Sequence, residues 1–98
     1  MQYIIKAYDG ENMLEKRLAV RPRHLENMAR IMEKVVCAGG ILDDEGKMKG
    51  SVLILDLAGR EELDEYLNSE PYITEHVWET VTAEPFNAVI VNGQKVGK

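Results

Sequence analysis

The alternation of apolar and polar positions predicts strands near both ends of the chain. Residues 3–8 form a short run rich in β-branched and aromatic side chains, and Asp9 and Gly10 end it. Residues 77–91 alternate in their first half, which is typical of a half-buried strand. Because Pro85 has no backbone N–H, it restricts that strand to a sheet edge or a bulge.

Residues 22–38 carry the clearest helical pattern in the chain. At a turn of about 100° per residue, apolar side chains gather on one arc together with His24, and charged side chains occupy the other arc. Pro22 predicts the first position of this helix, which places His24 in its first turn. Gly39 and Gly40 predict its end, since glycine is favoured where the backbone leaves a helix.

A second helix is predicted over residues 60–70. Leu63, Tyr66 and Leu67 share one face of it, and Pro71 ends the pattern. This segment is shorter than the first and more acidic. We expect its apolar face to pack against the same sheet.

Residues 41–57 predict a β-hairpin with its turn at Asp44, Glu45 and Gly46. The second strand, residues 51–57, is almost continuously apolar, which is typical of a strand covered on both faces. The complete order, β-α-β-β-α-β, predicts an α+β ferredoxin-like fold in which two helices cover one face of a four-stranded antiparallel sheet. The other face needs its own cover, and we expect a second copy of the chain to supply it in a homodimer.

Length and composition predict one globular domain. The chain has 98 residues, of which 45% are hydrophobic and 30% charged, and this favours a single domain over 1–98 with residues 92–98 as a flexible tail. No apolar run approaches the about 18 residues of a membrane span, and the N-terminus lacks the features of a signal peptide. We therefore expect a cytoplasmic protein that does not contact membranes.

Charge and motif content argue against several classes of function. The net charge of −5 argues against nucleic-acid binding, which depends on clustered basic residues. Cys37 is the one cysteine, and His24 and His76 are the two histidines, so the sequence predicts neither an internal disulfide nor a metal site. It has no P-loop, G-x-S-x-G or dinucleotide-binding motif, and we expect a protein that uses no cofactor.

Basic residues cluster next to His24 in the sequence. The cluster and the histidine each have two interpretations. Lys16, Arg17, Arg21 and Arg23 would together attract a small anion, or they are ordinary solvated side chains. His24 is either a site residue or a core histidine bonded to a backbone carbonyl. In a first helical turn, the helix dipole and partial burial both disfavour imidazolium, which leaves a neutral ring able to accept a proton.

Several segments together carry a family resemblance, and they are LEKRLAVRPRHL (14–25), AGG (38–40), GS (50–51), EPY (70–72) and VWETVTAEPF (77–86). Through them the chain resembles the YciI-like, or YCII-related, family from about residue 2 to residue 90. The resemblance implies a ferredoxin-like chain that pairs into a dimeric α/β barrel. It also implies a superfamily that includes dehydrochlorinase-type enzymes and is similar to muconolactone isomerases.

The resemblance further implies a histidine paired with an acidic residue, at positions that correspond here to His24 and Glu70. This chain departs from the family pattern, because the family usually has Asp before Pro-Tyr. The arginines of the family motif correspond to Arg17 and Arg21, whose guanidinium groups suit a carboxylate or enolate oxygen.

Two further residues are candidates for the same cleft. Ser51 would donate a hydrogen bond into it, or it is an ordinary strand residue, and Tyr72 would form part of its wall, or it simply packs. We therefore expect a cofactor-independent enzyme that eliminates from, or isomerises, a small anionic organic molecule. In that hypothesis His24 abstracts a proton alpha to a carbonyl and Glu70 orients it. The alternative hypothesis is a non-catalytic dimer that binds a metabolite or another protein.

Overall fold

The main feature of the fold is a four-stranded antiparallel sheet with order β2-β3-β1-β4. The structure is a computed structural model and describes all 98 residues. The strands of this sheet are β1 (Gln2–Asp9), β2 (Val35–Leu42), β3 (Met48–Asp56) and β4 (Trp78–Phe86). With α1 (Leu14–Ala29) and α2 (Arg60–Ser69), the element order is the expected β-α-β-β-α-β, which confirms the ferredoxin-like α+β prediction.

The prediction that the first helix covers residues 22–38 is wrong at both ends. Helix α1 begins at Leu14, so Pro22 lies inside it and not at its start. Proline cannot donate the backbone hydrogen bond that would reach Leu18 one turn earlier. The helix accommodates this loss on its solvent side, where Pro22 is exposed and Leu18 is 50% exposed.

The altered bounds also correct the expectation about His24. It lies in the second half of α1, far from the positive end of the helix. Because the helix dipole acts within about one turn of each terminus, it does not favour a neutral His24 in the way that the sequence predicted. The environment of this ring is therefore set by its neighbours in space.

Residues 35–42, most of which were expected in the first helix or at its end, form strand β2. A short 3-10 helix (Met32–Lys34) follows α1, and the extended backbone then continues through both glycines. The partner strand decides this outcome, since Gly39 pairs with Val52 and Gly40 with Ser51 across the sheet. Apolar spacing alone does not distinguish a helix from a buried strand in such a short segment.

Three other features agree with the sequence. The β2–β3 turn lies where expected, with Gly46 at φ 82° and its N–H bonded to the Asp43 carbonyl at 3.0 Å. Strand β4 is an edge strand, as Pro85 predicted. Pro71 ends α2 and begins a short helix, α3 (Pro71–Thr74).

The strand expected over residues 77–91 ends at Phe86, and the residues after it, including part of the tail expected at 92–98, form a separate small sheet. Two short strands, β5 (Ile90–Val91) and β6 (Gln94–Lys95), pair as a small hairpin after the main sheet. Asn92 and Gly93 have positive φ angles at its turn. Such values are typical of a type I′ hairpin turn, which Asn-Gly favours.

The core lies between the sheet and the helices. Ile5, Leu53, Leu55 and Leu63 are fully buried there or nearly so. Along β3, fully buried positions alternate with half-buried ones, so this chain covers one face of the strand only. No helix in the fold has the length and apolarity that crossing a membrane requires.

Candidate active site

A cavity of about 320 Å³ lies between α1 and the adjoining parts of β2 and β3. Its polar wall contains the five predicted site residues Arg17, Arg21, His24, Ser51 and Tyr72. The rest of the lining is mainly apolar and includes Leu25, Met28, Met32, Val35, Met48 and Leu53. The sixth predicted residue, Glu70, lies behind His24 and does not line the cavity.

Helix α1 supplies one side of the cavity because of its periodicity. Arg17, Arg21, His24 and Met28 are separated by four, three and four positions, so they share one face of the helix. This alignment exists only because α1 begins at Leu14, before the two arginines. The error in the predicted start of the helix therefore hid the common face.

His24 and Glu70 are in direct contact. The Nδ1 atom of His24 lies 2.7 Å from Oε1 of Glu70, whose side chain is 0% exposed. The same Oε1 accepts the backbone N–H of Tyr72 at 3.0 Å, and the hydroxyl of Tyr66 donates to Oε2. A carboxylate only accepts, so in the neutral form of the ring the contact places the proton on Nδ1 and leaves the lone pair of Nε2 facing the cavity.

Aromatic packing fixes the plane of the His24 ring. The ring stacks on Tyr72 with centroids 4.3 Å apart and planes inclined by 21°. Trp78 approaches edge-on, with a centroid distance of 6.4 Å. Packing and the Glu70 hydrogen bond together leave the imidazole little freedom to turn, although 11% of its side chain remains accessible.

Arg17 is held by other residues of the chain. Its Nη1 lies 2.8 Å from Oδ1 of Asp9, its Nη2 donates to Oγ of Ser51 at 2.6 Å, and its guanidinium lies 4.6 Å from the centre of the Tyr72 ring. Both partners of the ion pair are buried, at 3% and 5% exposure. Burial raises the pKa of Asp9, while the charge and hydrogen bond of Arg17 act in the opposite direction.

The contact with Arg17 also defines what Ser51 can do. Because Ser51 Oγ accepts from a guanidinium, its own proton is left to donate to another acceptor. Ser51 lines the cavity, so a ligand oxygen there would be such an acceptor. Asp9, Arg17 and Ser51 thus form a second polar chain, separate from the one that holds His24.

Arg21 differs from Arg17. It is exposed, lines the cavity, and makes no ion pair within the chain. Burial raises the pKa of Tyr72, with Arg17 and Arg21 acting in the opposite direction, so the phenol is protonated at neutral pH. The cavity therefore offers one uncompensated cation, at Arg21, together with two hydroxyl groups.

Sequence reasoning missed Asp9, Tyr66 and Trp78 as parts of this site. Tyr66 had a signal, because it precedes Glu70 by four positions and residues four apart on a helix are neighbours. Asp9 had none, since its contact with Arg17 depends on how β1 and α1 pack together. No group of three or more His, Cys, Asp or Glu side chains is arranged to hold a metal ion.

Comparisons with known proteins agree with one another. Residues 1–87 match the YCII-related domain family. The protein YciI of Escherichia coli is 32% identical, over 91% of this chain and 99% of its own length. Aspercryptin biosynthesis cluster protein B of Emericella nidulans is 32% identical over 80% of this chain, which spans only 56% of that protein.

One solved structure shares the fold closely. It is the 5-chloro-2-hydroxyhydroquinone dehydrochlorinase TftG of Burkholderia phenoliruptrix, in complex with 2,5-dihydroxybenzoquinone. The two superpose with a TM-score of 0.82 over 88% of this chain and 93% of that one, at 21% sequence identity. At that identity the likeness establishes the fold alone.

Proposed function

This chain belongs to the YCII-related domain family, and we propose that it is a cofactor-independent enzyme in which His24 acts as a general base on a small anionic organic molecule. One observation carries the proposal. The Nδ1 atom of His24 is bonded to a fully buried carboxylate, and the ring lines a cavity large enough for a small molecule. A base whose second nitrogen is fixed by a carboxylate is the arrangement that proton transfer requires.

The proposed chemistry begins with removal of a proton from a carbon alpha to a carbonyl. Nε2 of His24 takes the proton, and the Glu70 carboxylate keeps the ring oriented and compensates the imidazolium charge. Loss of a leaving group from the neighbouring carbon would complete an elimination. Return of the proton to another carbon would complete an isomerisation.

Other residues of the cavity have assigned parts in this proposal. The oxygen of the enolate develops negative charge, and the Ser51 hydroxyl, backed by Arg17, donates to it. Arg21 binds the anionic group of the substrate, because it is the cavity cation without a carboxylate partner. This division gives separate tasks to the two arginines, which the sequence treated alike as partners for a carboxylate or enolate oxygen.

The similar fold of TftG supports an enzyme of this kind. That protein is named a dehydrochlorinase, and its structure holds a dihydroxybenzoquinone. Elimination of hydrogen chloride from an activated ring needs a base and a stabilised oxyanion. The cavity described above contains side chains suited to both tasks.

We also propose that the protein is a homodimer that pairs through the open face of the sheet. Ile4, Val52 and Ile54 lie on that face and are only half-buried by their own chain. Tyr8 on the same face is 39% exposed. A second sheet would remove these apolar groups from water.

The experiment screens small carboxylates and phenols, including 2,5-dihydroxybenzoquinone, for stabilisation of the wild type against heat. Compounds that bind are then incubated in D₂O with the protein, and exchange of their C–H protons is followed by NMR. His24→Asn and Glu70→Gln should each lower the exchange rate by about 100-fold or more. His76→Asn is the matched control, because His76 is exposed at φ 60°, which Asn adopts readily.

Two results would contradict the proposal. Equal exchange rates in the wild type, His24→Asn and His76→Asn would show that His24 is not the base. Bound compounds that stabilise the wild type and His24→Asn equally and never exchange their protons would instead favour the alternative of a non-catalytic binding protein.

A further inference from the structure

We propose that Tyr66 is a positioning residue for His24, acting through Glu70, so that the three residues form one functional chain. The inference rests on the proposed function, since a base at His24 is what Tyr66 would tune. It assigns a task to a buried tyrosine that the proposed chemistry does not otherwise use.

Tyr66 is placed to hold one oxygen of Glu70. It lies on α2, one helical turn before Glu70, and is 6% exposed. Its hydroxyl has two acceptors within reach, Oε2 of Glu70 and Sδ of Met28, the latter at 3.6 Å. Thioether sulfur is a weak acceptor, so the proton goes to the carboxylate.

The two oxygens of Glu70 have separate partners. Oε1 accepts from the backbone N–H of Tyr72 at 3.0 Å and from Nδ1 of His24 at 2.7 Å. Oε2 accepts from Tyr66 alone. Without the Tyr66 hydroxyl, a fully buried carboxylate oxygen would have no donor, which is costly in a low-dielectric interior.

Loss of the Tyr66 hydroxyl would change the protonation of His24. A carboxylate deprived of a donor attracts a proton more strongly, and His24 is the titratable group bonded to its other oxygen. A larger fraction of the rings would then hold a second proton, and fewer could accept one from a substrate. In this proposal the hydrogen bond from Tyr66 weakens the attraction of the Glu70 carboxylate for a second proton on His24, so that the carboxylate orients a neutral imidazole.

Among the charged and titratable groups around His24, Glu70 has the strongest effect on the protonation of the ring. Arg17 and Arg21 come from the same helix, Tyr72 stacks on the ring from α3, and Asp9 on β1 faces Arg17. The charge of Arg17 is compensated by Asp9, and Arg21 is exposed to solvent. Burial and the charge of Glu70 raise the pKa of Tyr66 far above its usual range, so its hydroxyl remains a donor at every working pH.

The test uses Tyr66→Phe, which removes the hydroxyl and keeps the ring. The NMR signals of the His24 ring are titrated with pH in the wild type and the variant, and His76 in the same spectra serves as the internal reference. We expect the midpoint of His24 to move upward by about half a pH unit or more, which corresponds to about threefold less neutral base below the midpoint. For any compound whose exchange the wild type catalyses, kcat should fall accordingly with KM unchanged within about twofold.

Two controls separate this role from a merely structural one. Tyr3→Phe alters another buried tyrosine, which makes no hydrogen bond with the Glu70 side chain, and should leave the His24 midpoint in place. In a Glu70→Gln background, Tyr66→Phe should no longer move the midpoint, because the carboxylate that transmits the effect is absent.

An unmoved His24 midpoint in Tyr66→Phe, or an equal movement with and without Glu70, would overturn the inference. If Tyr66→Phe does not fold, comparison of the wild type with Glu70→Gln still provides a test. The hydroxyl proton of Tyr66 and the Nδ1 proton of His24 should both appear as downfield NMR signals in the wild type, and both should shift in Glu70→Gln. Independent behaviour of those signals would also overturn it. None of these titrations needs a substrate, so a moved midpoint in a protein without activity would contradict the proposed function and not the role of Tyr66.

Discussion

At the scale of single residues, two arginines one turn apart on α1 differ in burial and partners. Arg17 is 3% exposed and bonded to Asp9 and Ser51. Arg21 is exposed and has no carboxylate partner. The same side chain therefore supports the structure in one position and is available to a ligand in the other.

Removing the guanidinium group should mainly affect stability at Arg17 and mainly affect ligand binding at Arg21. Arg17→Met should lower the free energy of unfolding by about 3 kcal/mol or more, because Asp9 would stay buried without its partner. Arg21→Met should lower it by less than about 0.5 kcal/mol, as expected for an exposed side chain. The same Arg21 substitution should weaken binding of an anionic ligand by about tenfold. Urea denaturation and titration calorimetry measure the two effects, and equal loss of stability in both variants would contradict this division.

The sequence predicted part of this site at the residue scale. The pairing of His24 with Glu70 came from the family resemblance, and the structure brings the two residues into contact although they are 46 positions apart. The change from the usual Asp to Glu lengthens the side chain by one methylene, and contact with His24 is still made. Trp78 and Asp9 remained hidden, because their contacts with Tyr72 and Arg17 depend on how the strands and helices pack together.

At the scale of elements, α1 contains an internal proline, Pro22, that weakens the helix. Pro22 is exposed and leaves the Leu18 carbonyl without its helical donor. Pro22→Ala should therefore raise the free energy of unfolding by about 1 kcal/mol or more, after allowance for the greater freedom of the unfolded chain.

Pro71 provides the matched control for this substitution. It occupies the first turn of α3, where proline is favourable, so Pro71→Ala should give no gain in stability. Thermal and urea unfolding of both variants measure the difference. A gain of the same size at Pro71 would show that helix position is not the cause.

The β2–β3 turn should make stability depend on pH in the acid range. Backbone N–H groups of Lys47 and Glu45 donate to Oδ1 of Asp43 and lower the pKa of its carboxyl below 3.8. A carboxyl with a lowered pKa in the folded state stabilises the fold above 3.8, and this contribution is lost as the pH falls through the lowered value.

Asp43→Asn keeps a side-chain acceptor but does not titrate. Thermal melting from about pH 6 to pH 2 should therefore show the wild type more stable than Asp43→Asn at the upper end, with the gap closing as the pH falls. A gap that stays constant or widens toward low pH would reverse the sign and contradict the assignment.

At the scale of the whole molecule, the open sheet face should determine oligomeric state. Val52→Lys places a charge among half-buried apolar residues of that face and should convert a dimer into a monomer. Leu18→Lys, at a half-exposed position on the outer side of α1, should leave the dimer intact. Light scattering coupled to size exclusion gives the mass of each species, and a wild type of single-chain mass would contradict the proposed dimer.

Local patterns in the sequence were sufficient for the order of the elements, the β2–β3 turn, the edge position of Pro85 and the apolar face of α2. Each of these follows from periodicity, turn residues or a missing N–H group, which act within a few positions. They do not depend on what the chain packs against. The fold class could therefore be read from the sequence alone.

Tertiary structure alone decided the bounds of α1, the strand at 35–42 and the two polar chains of the cavity. The segment after α1 has apolar spacing that suits either a helix or a strand, and pairing with β3 selects the strand. Arg17 meets Ser51 across 34 positions, and His24 meets Glu70 across 46. Such contacts depend on how α1 packs between the sheet and α3, and a local pattern holds no information about a partner that far along the chain.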